Sequence, residues 1–128
     1  MTVEVQIRPV ALDEHDAFFE LFAVYLEELE PFVADRATAE ATSFEAYRAA
    51  ILEDLDPDSG RELWWIDAGG AHVGLAITRT LPDWPDDSTD VAEITEFYVI
   101  PSHRRSGTGR AAVKAILADH RARGTRLV

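Results

Sequence analysis

The segment from Glu93 to Arg110 constrains this chain more than any other: a β-branched and aromatic run, Ile94-Thr95-Glu96-Phe97-Tyr98-Val99-Ile100, is cut by Pro101 and followed by the loop His103-Arg104-Arg105-Ser106-Gly107-Thr108-Gly109-Arg110. Proline ends a strand because it lacks the ladder donor, and the alanine-rich stretch after Arg110 has helical spacing. The order is therefore strand, glycine loop, helix. Backbone N–H groups at a helix start have no intrahelical acceptor, the helix dipole favours negative charge there, and glycines permit close approach. Such a segment predicts a cradle for a phosphorylated ligand. A Walker loop is a poorer fit, because it requires Lys and then Ser or Thr after the second glycine, where this chain has Arg110 and Ala111. A dinucleotide fingerprint needs three glycines near the start of a βαβ unit.

Around this segment the elements alternate as in α/β or α+β proteins. Thr2 to Arg8 alternates as a first strand ended by Pro9. A helix is predicted from Asp13 as N-cap, with Phe18, Phe22, Tyr25, Leu26 and Leu29 on one stripe and Pro31 closing it. Thr42 and Glu45 have capping-box spacing before a second helix with Phe44, Tyr47, Ile51 and Leu55 on its apolar face; residues 56–60 then form a loop. Leu63 to Ile66, a turn at Gly69-Gly70, and Val73 to Thr78 read as an antiparallel hairpin. An acidic connection leads to the strand Val91 to Ile100. The helix from Thr108 to Arg123 presents Val113, Ile116, Leu117 and His120 on one face and stops at Gly124, and Thr125 to Val128 begins another strand. Adjacent Trp64 and Trp65 must point to opposite faces, predicted as core on one side and a lid or interface on the other.

The 128 residues predict a single domain, 1–128, with no internal repeat or linker. No cysteine occurs, so disulfides, cysteine ligands and a cysteine nucleophile are excluded; with no apolar leader at the N-terminus, the expected location is cytoplasmic. A formal net charge of −12 argues against nucleic acid or an anionic membrane as partner and is compatible with a cationic substrate. The only lysine is Lys114, and the Arg-based usage of a GC-rich genome or a salt-rich cytoplasm is the stronger account of the composition. His15, His72, His103 and His120 have no metal-ligand spacing, and no metal is expected.

Arg104-x-x-Gly107-x-Gly109 directly after a strand resembles the acetyl-CoA loop of the GCN5-related N-acetyltransferases (GNAT), whose signature is Gln/Arg-x-x-Gly-x-Gly/Ala. The resemblance implies an α/β (α+β) fold: a mixed, mostly antiparallel sheet flanked by helices in the order β-α-α-β-β-β-α-β. It implies acetyl-CoA as cosubstrate and transfer of its acetyl group to a primary amine of a small molecule or peptide. The pantetheine arm would pair like an extra strand with the backbone at Phe97 and Val99, with the Val99 N–H as oxyanion donor. Arg104, Arg105, Ser106, Gly107, Thr108, Gly109 and Arg110 would meet the pyrophosphate mainly through main-chain amides, Arg105 or Arg110 adding a charge.

Counting back from Gly107, the resemblance implies Glu93 as general base, with Glu96 second and nearer the thioester. Residues three apart on a regular strand face opposite sides, so both carboxylates reach one site only across a bulge. The acceptor side is expected near Tyr25 and Glu28, with Glu30 and Asp35 close by, where carboxylates beside an aromatic suit an alkylammonium group. Full members continue beyond the fifth strand into a region that commonly supplies an Asn for the pantetheine and a Tyr that protonates the thiolate. The chain is expected to be C-terminally shortened, to expose an apolar face, and to form a homodimer through it. A catalytically degenerate CoA-binding or dimerisation module is the alternative to an enzyme.

Overall fold

The computed structural model describes residues 4–29, 44–53, 60–81 and 91–127. Expectations on Pro31, Glu30, Asp35, Thr42, Leu55 and the loop 56–59 lie outside them, as do the side chains of Phe44 and Tyr47. The elements are β1 (Val5–Pro9), α1 (His15–Leu29), α2 (Phe44–Glu53), β2 (Arg61–Ala68), β3 (Ala71–Leu81), β4 (Val91–Val99), α3 (Thr108–Ala122) and β5 (Arg126–Leu127). The strands form one sheet in sequence order, antiparallel from β1 to β4, with β5 parallel to β4. This is the mixed, mostly antiparallel architecture that the sequence predicts.

Two helical layers enclose the sheet. On one face Phe18, Phe19 and Phe22 of α1 and Ile51 of α2 pack on Leu63, Trp65, Leu75, Ile77 and Tyr98. The other face carries Ile66, Val73, Val99, Trp64 and Ala76 against Ala112 and Ile116 of α3. Both tryptophans are thus core, because each face of a sheet covered by helices on both sides is buried. The lid or interface expected on one side of the pair is not there. Trp64 meets the need of its indole N–H by donating to the Thr78 hydroxyl at 2.8 Å.

Several boundaries differ from the sequence reading. Asp13 is not the N-cap: a 3-10 turn, Leu12–Glu14, precedes α1, and the Glu14 carboxylate reaches back to accept the Ala11 N–H at 3.0 Å while paired with Arg8. Phe19 joins the buried stripe of α1, since the sheet covers more than one helical row. On α3 the buried line is Thr108, Ala112, Ile116 and His120, and Val113 faces outward, because small Ala112 lets the helix sit close to the sheet. β2 and β3 run longer at both ends than predicted, and the Gly69-Gly70 turn between them has φ of 60° and 80°, as a tight hairpin requires. Among the described residues no helix is long and apolar enough to cross a membrane.

Candidate active site

β5 meets β4 at the end of that strand away from the glycine loop. They pair only at Val91↔Arg126 and Ala92↔Leu127, so from Glu93 to Val99 the outer edge of β4 has no partner strand among the described residues. On its inner side the Ile100 N–H donates to Val73 O at 2.9 Å. Peptide groups alternate direction along a strand, so the N–H and C=O of Val99 and Phe97 turn to the open edge. At the end of β4 a cavity of about 320 Å³ is lined by Phe97, Tyr98, Val99, Arg104, Arg105 and Gly109. Tyr98 is the one lining residue that the sequence reading did not single out.

The loop is built for approach by an anion. Gly107, the N-cap of α3, has φ of 85° and offers no capping side chain, and the space where a Cβ would stand is open. The first N–H groups of α3, at Thr108, Gly109 and Arg110, therefore face outward without helical acceptors. Ser106 Oγ donates to His103 O at 2.9 Å and lies 3.0 Å from the Thr108 hydroxyl, which ties the loop to the helix start. Arg105 is held at φ 63°, a conformation few non-glycine residues adopt, and its side chain is exposed, as is that of Arg110. In a chain of net charge −12, residues 103–110 contain three arginines and no carboxylate. This set of groups fits a pyrophosphate.

Across β4 the carboxylates gather. Register runs Arg79↔Glu93, Thr78↔Ile94 and Ile77↔Glu96, which leaves Thr95 as the extra residue of a β-bulge. Directly paired residues share a face. Glu93, beside Arg79, and Glu96, beside Ile77, therefore both stand on the α1 side, as the bulge expectation required. Thr95 Oγ1 donates to Ile77 O at 3.2 Å across the irregularity. Glu96 accepts a 2.5 Å hydrogen bond from the Tyr25 hydroxyl, whereas Glu93 is half-buried and forms no ion pair among the described residues.

Tyr25 and Glu28, one turn apart on α1, reach different partners. The Tyr25 ring stacks at a tilt on Tyr98, with centroids 5.4 Å apart. Glu28 Oε2 accepts the Tyr98 hydroxyl at 2.9 Å, and Oε1 pairs with Arg104 Nη1 at 2.6 Å. The same guanidinium donates through Nε to Val99 O at 2.7 Å and lies over the Tyr98 ring. Arg104 first and the Tyr98 hydroxyl second hold the Glu28 carboxyl below its usual range, and burial followed by the Glu28 hydrogen bond raises Tyr98. Nothing in the sequence pattern linked Arg104 to Glu28, because their contact depends on the crossing of α1 over β4.

The sequence profile of the acetyltransferase (GNAT) family matches residues 16–128. The chain belongs to the GNAT family. No curated protein gives a sequence match. Among solved structures, this GNAT chain is similar to a ribosomal-protein-alanine N-acetyltransferase from Brucella melitensis biovar Abortus 2308, at 22% identity and a TM-score of 0.66, over 97% of this chain and 79% of that one. A GCN5-related N-acetyltransferase from Ralstonia eutropha JMP134 superposes with a TM-score of 0.68 at 22% identity, over 98% and 83% of the two chains. An aminoglycoside N-acetyltransferase, AAC(6')-Iy, solved in complex with CoA, gives 0.66 at 20% identity over 99% and 76%. At these identities the neighbours establish the GNAT fold.

Proposed function

We propose that this GNAT chain uses acetyl-CoA to acetylate a primary amine of a small molecule or peptide. The observation that carries the reading is the meeting, at one cavity, of the outer β4 edge and a cationic glycine loop at a helix start, on the same strand whose bulge sets Glu93 and Glu96 on one face. Acetyl-CoA would supply the activated acyl thioester. The outward amides of Gly107 to Arg110 and the charges of Arg105 and Arg110 would hold its pyrophosphate, and the edge groups of Phe97 and Val99 its pantetheine arm. The Val99 N–H is suited to stabilise the carbonyl oxygen as it gains charge.

An amine must lose a proton to attack. Glu93, without a hydrogen-bonded side-chain partner among the described residues, is the better base and acts through water; Glu96, already accepting from Tyr25, orients the acceptor. Tyr25 with Glu93 and Glu96 would form an acidic, aromatic rim that attracts an ammonium group and releases it as the neutral amine. Amine acceptors are also named for the ribosomal-protein and aminoglycoside enzymes among the structural neighbours. A cytoplasmic, homodimeric protein completes the proposal, and light scattering on the purified chain tests the second part.

Calorimetry with acetyl-CoA, with ATP and NAD as controls, tests the reading. Selective binding by the native chain, lost in Gly107→Glu with circular dichroism unchanged, is the expected result. Unaltered affinity in that variant would overturn the loop assignment.

A further inference from the structure

Glu28, Tyr98 and Arg104 join three separate elements: α1, the end of β4 and the anion loop. Arg104 is the only link in this set that touches both an acidic side chain and an edge carbonyl. Its Nε on Val99 O occupies a backbone acceptor on the otherwise open edge of β4. Lysine could form either contact, but a rigid fork makes both at once.

We propose that Glu28 is a positioning residue of the anion loop, acting through Arg104, and that this latch fixes where an extended ligand arm can pair along β4. With its carbonyl taken, Val99 presents only its N–H to the edge. A pairing arm must therefore end at that donor, and a slipped register or the strand of another copy meets the guanidinium instead. Phosphate groups at the loop and Glu28 draw on the same cationic segment. Because the Glu28 charge is paired with Arg104 and its other oxygen accepts the Tyr98 hydroxyl, it repels an incoming anion little. The latch also gives α1, whose Tyr25 reaches Glu96, a mechanical hold on the loop that begins α3. The ligand in this inference rests on the acetyl-CoA reading; the latch does not.

Two variants test it, Glu28→Gln and Arg104→Lys. Hydrogen–deuterium exchange of the ligand-free chain addresses the latch alone. The His103 and Arg104 amides, bonded to Ile100 O and Pro101 O, should exchange faster in both variants while β2 and β3 keep native protection. In calorimetry the CoA dissociation constant should rise about three- to fivefold, the size an exposed ion pair supports. The KM for acetyl-CoA should follow, with the KM for the amine unchanged. Native exchange at both amides in both variants would overturn the latch, as would a rise confined to the amine KM, which would make Glu28 an acceptor residue. A native chain that fails to bind CoA would remove the acetyl-CoA reading, and the exchange result would still decide the latch.

Discussion

The two glycines of the loop, alike in sequence, do different work. Gly107 sits at φ 85°, where any L side chain is strained, yet a methyl group there touches nothing. Gly107→Ala should lower stability by about 1 kcal/mol in urea unfolding. Gly109 lies within the helix, and its added Cβ would rest 3.7 Å from the Phe97 ring, an ordinary contact. Gly109→Ala should therefore unfold at the native midpoint or slightly above it. Glu93 and Glu96 are separable in the same way. Glu93→Gln should reduce kcat by about a hundredfold, the usual scale of a lost general base, and leave CoA affinity intact. Equal activity in Glu93→Gln would pass the role to Glu96. Both carboxylates and the loop were legible in the sequence because a strand, a proline and paired glycines are local signals. Tyr98 was not, because its importance comes from the hydroxyl's reach to α1, a contact between residues 70 positions apart.

At the scale of elements, periodicity recovered every strand and α-helix that the structure describes but missed the 3-10 turn before α1 and how far burial extends around the elements. α1 shows a stripe through Phe18 and Phe22, and only a broad sheet surface explains why Phe19 is buried as well. The N-terminus of α1 misled because Asp13 is a good cap in isolation, whereas Glu14 gains both the Ala11 N–H and Arg8. The central strands carry a testable polar contact. Removing the Thr78 hydroxyl by Thr78→Val would strand the Trp64 indole N–H inside the core, which should cost about 1–3 kcal/mol by chemical denaturation. A loss indistinguishable from zero would mean that Trp64 finds another acceptor. Gly74 is the element-level constraint with least tolerance, since a Cβ there would lie 2.2 Å from Tyr98 O. Gly74→Ala should push β3 and β4 apart and produce less soluble protein than the Gly109 variant.

For the molecule as a whole, acid stability should depend on the corner where β1, β2 and the turn before α1 meet. Arg8 pairs with Glu14 at 3.0 Å and with Asp67 at 3.4 Å, and His72, stacked on Trp65, contacts Asp67 at 2.6 Å. The hydrogen bond from Arg8, then that from the Ala11 N–H, lowers the Glu14 carboxyl from 4.5 to about 2. A depressed carboxyl stabilises the fold above its unfolded value and loses that contribution as pH falls through the folded one. The melting temperature should therefore decline between pH 4.5 and 2, and Glu14→Gln should flatten that part of the profile. The net charge of −12 predicts a second trend, a melting temperature that rises with added salt as self-repulsion is screened. The bulge at Thr95 bears on how such a chain can drift over generations. Substitutions between Glu93 and Glu96 alter one side chain each, whereas loss of a single codon there would leave the two carboxylates two apart, on one face of a regular strand, and take away the bend and extra twist of the bulge. Lineages that lose the codon should therefore keep both carboxylates on the α1 side while β4 runs straighter towards the glycine loop.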